Sequence, residues 1–599
     1  MALATSLEAD RTARTTTRAC LFLLWAAALF SLCIAHGFGN LSTDDATRLV
    51  QVRDFLAGQS WFDVTQYRLD PPAGVAMHWS RLVDLPIAIL IKAASLFVSQ
   101  SNAEQIALAI WPAGLLLILL AGVSRLAQEL AGHTAARLAL AFAVLSAPVL
   151  QNFRFGALHH HSIQLAIIVW AAAFFARMPA RPRDAAIAGL LCALSIAIGL
   201  EMAPAVATLC AIAAVRWIAD GERYRHATIA YAVTLAAATC AFAAATIAPA
   251  QYPAVHCDAI SIAQSGALAI GGFGLAAMTC LPQLHTIARR LIAAALLGAA
   301  VLAFVGLGAP QCLADPYAHL DPRLTELWLS SVAEARSLVS LWHDLPQQVP
   351  AYFGIPVAAT ILGAIRCVKE SGERRWAWIA VTAVQAVFVL LSVWQLRGAT
   401  GGNAFGAALL PSALILTWPA ATGRASHFGI ARAALIGILL LNPATLLAAG
   451  NGIAQSLASP AHSSRRILTS GEAGTCQRAA DYRALTNLAA GRVLAFIDSG
   501  PFILLESKHS VFAAPYHRNQ AGNIAMFDMF LSAPADARQL MAKHDVRYVA
   551  FCPGAPERYD YARWAPQGLA AALAESRVPD FLEKISAAGA DLDVYRVRR

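Results

Sequence analysis

The sequence predicts a mainly α-helical, polytopic membrane protein: a bundle of about 13 membrane-spanning helices with a small α/β domain at its C-terminal end. Of its 599 residues, 58% are hydrophobic and only 14% are charged, whereas soluble domains contain roughly a quarter charged residues. Mean hydropathy is +0.56. Apolar runs of membrane-spanning length recur as far as residue 450, after which short β-like and helix-like runs alternate.

The predicted spans are the segments with roughly 20 mainly apolar residues. They begin near Ala19, Glu104, Ala135, Ser162, Asp184, Ala203, Thr228, Ile260, Leu291, Ala351, Ala377, Asn403 and Gly429. Residues 85–99 form a shorter apolar run that contains Lys92. We expect this run to lie at the outer membrane surface, and spanning is the alternative. The first apolar run has no evident small-residue cleavage site, which predicts a retained anchor.

The charge pattern supports this helix count. The net charge is +9, but the basic residues occupy short loops between spans, which argues against a nucleic-acid partner and for a topology signal. With the count above, the loops "RTARTTTR", "RMPARPRD", "DGERYRH", "HTIARR", "RCVKESGERR" and "TGRASH" share one side of the bilayer. The positive-inside rule assigns that side to the cytoplasm.

The opposite, outer side then receives the loop after the first span, the "RFGALHHHS" loop, the "YPAVHCDAIS" loop and residues 308–350. It also receives the C-terminal part. There "RVLAFID", "SVFAAPY" and "VRYVAFC" are β-like, and "ADARQLMAKH" and "GLAAALAES" are helix-like. This alternation predicts an α/β domain. We therefore divide the chain into a membrane domain, residues 1–450, and an outer domain, residues 451–599.

The first outer loop contains two adjacent acids in "LSTDDATRLVQVRDFLAG", residues 41–58. Ser42 and Asp45 have the spacing of a helix capping box, with Asp in place of Glu. One interpretation is that Asp44 and Asp45 merely start an interfacial helix. The other is that one acid caps the helix while its neighbour points into a cavity as a catalytic base or metal ligand.

Two further outer loops contain polar residues of the same kind. The tandem imidazoles His159, His160 and His161 precede a predicted span, and histidine binds metals or carries protons near neutral pH. Leu327, Glu334 and Leu341 are spaced by seven, which predicts a helix with Glu334 on an apolar stripe. The alternative for the histidines is a polar helix cap, and the alternative for Glu334 is a solvated helix edge. Polar residues on one side of a membrane bundle indicate a reaction cavity there.

These loops resemble those of the GT-C superfamily of integral membrane glycosyltransferases, which use polyprenyl-phosphate-linked sugars. The layout is similar to the catalytic subunit of oligosaccharyltransferases, with thirteen membrane helices and an extracytoplasmic C-terminal domain. The stretches "STDDATRLVQVRDFL", "MHWSRLVDLP", "GALHHHSIQ" and "APYHRNQAG" resemble uncharacterised bacterial members. The resemblance implies a multi-pass protein of the bacterial cytoplasmic (inner) membrane, with its active site and C-terminal domain in the periplasm.

The resemblance also implies site residues. Asp44 or Asp45 matches the first-loop catalytic acid, and Glu334 ends "SVAE", which matches a Ser-Val-X-Glu motif whose Glu helps to position a metal. Arg397, in "WQLRGATGG", matches an Arg near the lipid-linked phosphate. His159 stands where the family usually has an acid, so hard cations fit less well. A divalent ion, Mg²⁺ or Mn²⁺, would be held by Asp44, His159, His160 and Glu334.

The expected function is transfer of a sugar from a polyprenyl-phosphate-linked donor to an extracytoplasmic glycan, lipid or protein. Asp44 or Asp45 would be the base, and the donor phosphate would be bound by Arg397, with Arg48 or Arg154 assisting. Tyr516, His517 and Arg518 would contact the acceptor. Two alternatives stay open. One is en bloc glycan transfer to protein, although the C-terminal part has no WWD motif; the other is a non-enzymatic transporter or flippase of lipid-linked sugars.

The predicted topology also pairs cysteines. Cys257 and Cys312 both fall in outer loops, and two spans between them return the chain to the same depth. The periplasm is oxidising, so a disulfide can persist there. Cys476 and Cys552 form a second candidate pair in the outer domain. The alternative for the first pair is two free buried thiols.

Overall fold

A computed structural model describes residues 2–37, 40–178, 181–314, 320–422, 476, 478–587 and 590–598. Its helices up to residue 422 are α1 (Ala2–His36), α2 (Thr43–Leu56), α3 (Arg81–Ala94), α4 (Gln100–Val144), α5 (Ala147–Leu150), α6 (His161–Arg177), α7 (Pro182–Ile198), α8 (Ala203–Asp220), α9 (Arg225–Thr246), α10 (Ile262–Thr279), α11 (Ile287–Gly308), α12 (Pro322–Leu327), α13 (Leu338–Asp344), α14 (Val349–Lys369), α15 (Gly372–Trp394) and α16 (Arg397–Thr422).

The mainly α-helical membrane fold is confirmed. Among the described residues, eight helical stretches are long and apolar enough to cross a membrane. Two of them, Gln100–Val144 and Ala203–Thr246, contain 45 and 44 residues, enough for two crossings each because about 20 residues span a bilayer. Twelve of the thirteen predicted starts fall at or in these helices or in α6 and α7; the start at Gly429 lies outside the described residues. The total of thirteen spans stays a prediction.

The range given as α4 consists of two helices joined by a sharp bend, and these correspond to two of the predicted spans. Ala131 and Gly132 interrupt the helical conformation, and Gly132 has a φ of +82°, a left-handed value that favours glycine. The Gly156 amide then donates to the Leu108 carbonyl at 2.9 Å. Gly156, twelve residues after the end of α4, therefore lies beside the N-terminal part of the same helix.

The predicted basic loops collect at the end of the bundle that contains this bend. Arg177 lies 3.5 Å from Glu129 of α4, and Arg374 donates to the Leu130 carbonyl. Arg223 pairs with Glu373 at 3.1 Å. The loops "RMPARPRD", "DGERYRH" and "RCVKESGERR" thus share this end, as the charge pattern predicts. The loop "TGRASH" lies outside the described residues.

The helix α3 is as short as the sequence predicts, and its location at the membrane surface stays a prediction. Its 14 residues rise only about 21 Å at 1.5 Å each, less than the roughly 30 Å hydrocarbon core. Val83, Ile87 and Ile91 are buried against the bundle, whereas Leu85 and Ile89 are exposed. Helix α11, in contrast, buries none of its residues in the protein, as expected for a helix surrounded by lipid.

The outer domain is an α/β unit around a five-stranded sheet of order β4-β3-β5-β7-β6. Strands β3 (Arg492–Ala495), β4 (Ser510–Val511) and β5 (Val546–Phe551) are parallel, whereas β6 (Leu582–Lys584) and β7 (Asp593–Val597) add antiparallel pairs. Its helices are α17 (Gly500–Glu506), α18 (Gln520–Leu531), α19 (Pro534–Lys543), α20 (Glu557–Trp564) and α21 (Leu569–Ala574). The three predicted strands and two predicted helices are present. The domain boundary near residue 450 lies outside the described residues.

The outer domain is bound to the first outer loop through backbone contacts. That loop contains a hairpin, β1 (Thr65–Gln66) with β2 (Val75–Ala76). Between these strands, the Asp70 amide donates to the Val511 carbonyl at 2.8 Å, and the Val511 amide donates to the Arg68 carbonyl at 2.9 Å. The loop therefore runs beside strand β4 and extends the sheet.

Both predicted cysteine pairs are bonded in the structure. The first disulfide, Cys257–Cys312, joins the loop before α10 to the turn after α11, across a sequence separation of 55 residues. It fixes the last turn of the lipid-facing helix α11 to the loop that contains Asp258. The second, Cys476–Cys552, joins the start of the outer domain to the residue after β5.

Candidate active site

The Asp45 carboxylate is the centre of the outer loops. It is fully buried and accepts five hydrogen bonds. One oxygen accepts from the Ser42 amide and hydroxyl, at 3.0 and 2.6 Å, and from Arg154 at 3.0 Å. The other oxygen accepts from the amides of Leu158 and His159, at 2.7 and 3.1 Å. The predicted capping box is present, and the same carboxylate holds the histidine loop against the start of α2.

The electrostatics of Asp45 agree with this structural role. Burial acts to raise its pKa, but the Arg154 guanidinium and the hydrogen bonds from Ser42 outweigh burial and lower it. A carboxylate that accepts several charged or amide donors stays ionised. With both oxygens engaged, Asp45 is poorly placed to take a proton from a substrate.

Asp44, in contrast, is partly buried and points towards other acids. Burial, followed by repulsion from Glu334 and Asp45, raises its pKa to about 6. The ring of Tyr516 covers this side of the helix start, and its hydroxyl donates to the Thr43 carbonyl at 3.3 Å. A carboxylate with a pKa near 6 is mostly ionised at pH 7 yet still accepts a proton readily, as a general base requires.

Arg48, predicted to assist with phosphate, is committed elsewhere. It is fully buried and donates to Asp84 at 2.7 Å, while Arg81 contacts the other Asp84 oxygen at 3.1 Å. Its guanidinium lies 4.4 Å from the centre of the Trp79 ring. These contacts link α2 to α3, so in this structure Arg48 positions helices. Arg154 is likewise bound to Asp45. Of the three arginines predicted to bind phosphate, Arg397 has the most exposed side chain.

His160 is held between two partners. A guanidinium only donates, so the 3.3 Å contact from Arg48 makes the His160 Nδ1 an acceptor and puts the ring proton on Nε2, which faces Glu201 at 2.6 Å. Burial lowers the pKa of His160. Burial alone would raise the pKa of Glu201, but attraction to His160 lowers it well below its usual value. Both His160 nitrogens have protein partners in this structure, and its use as a metal ligand stays a prediction.

The neighbouring imidazoles remain suited to a metal. The Nδ1 atom of His159 is buried and has no hydrogen-bond partner among the described residues, and the same is true of the second Glu201 oxygen. Burial lowers the pKa of His159 to about 3, so its ring is neutral. Ligand atoms of His160, His161 and Glu201 lie within 4.8 Å of one another.

Glu334 reaches the same cluster, but not from the predicted helix. Helix α12 ends at Leu327, and Glu334 lies in a short 3₁₀ turn before α13. The Glu334 carboxylate is 46% exposed and lies 3.4 Å from Arg397. Burial acts to raise its pKa, but attraction to His161 and Arg397 lowers it. The heptad spacing predicted a helix face, whereas the chain folds as separate turns.

The predicted acceptor residues lie between the two domains. Tyr516 is buried, with its ring 5.2 Å from that of Trp79. The Asp258 carboxylate accepts from His517 at 2.7 Å and from two Arg518 nitrogens at 2.7 and 2.6 Å. In this structure these side chains attach the outer domain to the bundle, and their contact with an acceptor stays a prediction.

The sequence-based prediction overlooked two site residues, Glu201 and Asp84. Glu201 lies in "GLEMAP", a short outer turn between α7 and α8, and an acid in a turn between two apolar helices was the available signal. It lies beside Gly199, where an added Cβ would come within 2.5 Å of the Glu201 carboxylate. Asp84 lies within "MHWSRLVDLP", a stretch that was singled out without a role for this residue.

Comparison with known proteins relates this arrangement to solved structures. No family model matches the sequence, and no curated protein matches it. The archaeal oligosaccharyltransferase AglB from Archaeoglobus fulgidus, in complex with an inhibitory peptide and a dolichol-phosphate, superposes with a TM-score of 0.66 at 16% identity. The match covers 97% of this chain and 74% of that one.

Two further structures of the Archaeoglobus fulgidus oligosaccharyltransferase give similar values. The apo form matches with a TM-score of 0.66 and 16% identity over 92% of this chain and 72% of that one. The complex with Zn and sulfate matches with a TM-score of 0.60 and 18% identity over 97% and 73%. The chain therefore shares the fold of these oligosaccharyltransferase structures, as the resemblance implied.

The different surroundings of the two adjacent acids predict different effects on stability. In Asp45→Asn, an amide N–H replaces the carboxylate oxygen that accepts from Ser42 and Arg154, so donors face a donor. Arg154 also loses its counter-charge. We expect this substitution to lower the free energy of unfolding by about 2–4 kcal/mol. Asp44→Asn removes a charge that is repelled by its neighbours and should leave stability unchanged or slightly raised. Chemical unfolding of both variants at pH 7 tests this, and equal effects would contradict the assigned roles.

Proposed function

We propose that this protein is a membrane glycosyltransferase that moves a sugar from a polyprenyl-phosphate-linked donor to an acceptor on the side of the outer domain. The observation that carries the proposal is the convergence of Asp44, the histidine loop, Glu201, Glu334 and Arg397 at one end of a bundle with the oligosaccharyltransferase-like fold. The AglB structure in complex with a dolichol-phosphate supports a lipid-linked donor.

Asp44 is the proposed base. Its position at the first turn of α2, its raised pKa of about 6 and its partial burial suit removal of a proton from an acceptor hydroxyl. Asp45 acts through structure, because it holds the histidine loop beside Asp44. Tyr516 covers the same helix start and would limit the access of water to the base.

Arg397 is the proposed ligand of the donor phosphate. It lies at the start of α16, is 35% exposed at its side chain, and is paired with Glu334 at 3.4 Å. A helix N-terminus and a guanidinium both favour an anion. Negative charge builds on the leaving phosphate as the glycosidic bond breaks, and a fixed positive group stabilises it.

A divalent metal fits beside these residues. Ligand atoms of His160, His161 and Glu201 lie within 4.8 Å of one another. The second Glu201 oxygen and the nearby buried His159 Nδ1 have no hydrogen-bond partner among the described residues. Imidazole ligands favour Zn²⁺ over Mg²⁺, and the AglB complex with Zn is in line with this preference. When bound, the ion would supply positive charge for the phosphate oxygens.

Two alternative functions remain, and each predicts a different outcome for the lipid-linked donor. In en bloc transfer, a whole glycan would move to a protein acceptor, as an oligosaccharyltransferase-like fold allows. A transporter of lipid-linked sugars would move the donor without cleaving it. We favour the enzyme because the polar cluster lies in outer loops and not at mid-depth among the spans, where transport sites lie. The proposed location is the bacterial cytoplasmic membrane with the cluster on the periplasmic side.

A transfer assay distinguishes these functions. Purified protein in proteoliposomes is given polyprenyl-phosphate-linked sugars, a polyprenyl-pyrophosphate-linked oligosaccharide, and an envelope extract as acceptor. We expect release of polyprenyl phosphate, with Asp44→Asn slower by about a hundredfold or more. Asp536→Asn, which changes an exposed acid of α19, is the control and should match the wild type. Transbilayer movement without cleavage would contradict the enzyme, and equal rates for Asp44→Asn would contradict the base.

The metal makes a separate prediction. Protein purified without chelator should contain a stoichiometric divalent ion, which His161→Ala loses and the exposed His343→Ala retains. Chelation should abolish transfer, and Mn²⁺ or Zn²⁺ should restore it. Metal-free protein that is fully active in chelator would show that the phosphate is stabilised by the protein's own cations.

A further inference from the structure

A second cavity lies at the opposite end of the bundle from the candidate active site. It has a volume of about 680 Å³ and is bounded by residues 14–21 of α1, the bend of α4 and the C-terminal end of α6. Helix α6 begins at His161 in the active site and ends at Arg177 in this cavity. Its 16 steps rise about 24 Å at 1.5 Å each, so the two sites face opposite leaflets.

The cavity is strongly basic. Five arginines and a single acid, Glu129, line it; the arginines are Arg14, Arg18, Arg125, Arg177 and Arg181. Asp10 and Asp184 lie outside the lining and pair with Arg14 and Arg177. Even when these two acids are counted, two positive charges remain.

Two of the arginines account for this excess. Arg125 pairs with Glu129 at 2.5 Å, whereas within the described part of the chain Arg18 and Arg181 have no acidic group in ion-pair range. One comes from α1 and the other from the start of α7, and both face the same concave space. Arginines that serve only as topology signals need no shared cavity, so this convergence indicates an anionic ligand.

The cavity lining is polar at the end of the bundle and apolar closer to the middle of the predicted spans. Leu21, Ala121 and Trp170 line the cavity about one to two helical turns deeper in their predicted spans than Arg18, Arg125 and Arg177. Three helices repeat this order. A free phosphate needs only the polar level, whereas a lipid presents a phosphate headgroup followed by apolar chains.

We propose that this cavity binds the phosphate headgroup of an anionic membrane lipid in the leaflet opposite the candidate active site. Five basic loops of the bundle meet at this end, and the positive-inside rule assigns it to the cytoplasm, where basic pockets between membrane helices bind anionic headgroups. The arginines bind the phosphate oxygens, and the apolar wall receives the first acyl carbons. The volume falls in the range of small-molecule sites, about 300–1,000 Å³.

Native mass spectrometry of the full, delipidated chain in detergent tests the proposal. Dioleoyl phosphatidylglycerol is titrated against the wild type and against the double variant Arg18→Gln/Arg181→Gln, with phosphatidylcholine and inorganic phosphate as separate arms. The control variant is Arg183→Gln, which changes an exposed arginine two residues from Arg181 that does not line the cavity. We expect tight binding of phosphatidylglycerol by the wild type and the control, and roughly thirtyfold weaker binding by the double variant.

Each other outcome overturns part of the assignment. Equal affinity of the wild type and the double variant for phosphatidylglycerol would show that this lipid does not bind in the cavity. If the wild type binds phosphatidylcholine as tightly as phosphatidylglycerol, binding does not require a net negative headgroup. Displacement of the lipid by inorganic phosphate would show that the cavity binds a free phosphate compound. If the double variant does not fold, Arg18→Gln replaces it, with roughly fivefold weaker binding expected.

Discussion

The candidate site depends on the hydrogen bonds to the buried carboxylate of Asp45. This group closes the first turn of α2 through Ser42 and at the same time accepts from the amides of Leu158 and His159, at the start of the tandem histidines. A carboxylate has enough acceptor capacity for both tasks, and Arg154 balances its charge. Without it, the loop between α5 and α6 would have buried amides without acceptors, and the histidines would have no fixed position beside Asp44.

Burial divides the remaining polar groups into two kinds. Asp84, Arg48, His160 and Glu201 form a chain of contacts that crosses from α3 through α2 and α6 to the turn before α8. Each member has a charged or polar partner, as buried charges require, so this chain holds the helices in position. Asp44, His161, Glu334 and Arg397 are partly exposed at its outer side, where a substrate can reach them. The outer domain is attached nearby through Asp258, which accepts from His517 and Arg518 and follows the disulfide-bonded Cys257 in sequence.

The sequence predicted the parts of this arrangement that local pattern determines. Apolar length located the spans, basic loops identified one end of the bundle, and the Ser42 to Asp45 spacing predicted the capping box. It did not decide between Asp44 and Asp45, because that choice depends on donors more than 100 residues away. It did not reveal the buried partners of Arg48 and His160, because Asp84 and Glu201 come from other loops of the chain. The heptad around Glu334 was misleading because an apolar spacing of seven also arises in consecutive short turns.

Hydrogen exchange of the segment from Arg154 to His160 tests the central role of Asp45 most directly. The Leu158 and His159 amides lie outside any helix or strand, so the carboxylate is the source of their protection. Both amides should exchange slowly in the wild type and in Asp44→Ala, and fast in Asp45→Ala, while the amides within α6 remain protected in all three proteins. Fast exchange in the wild type, or unchanged protection in Asp45→Ala, would contradict the account.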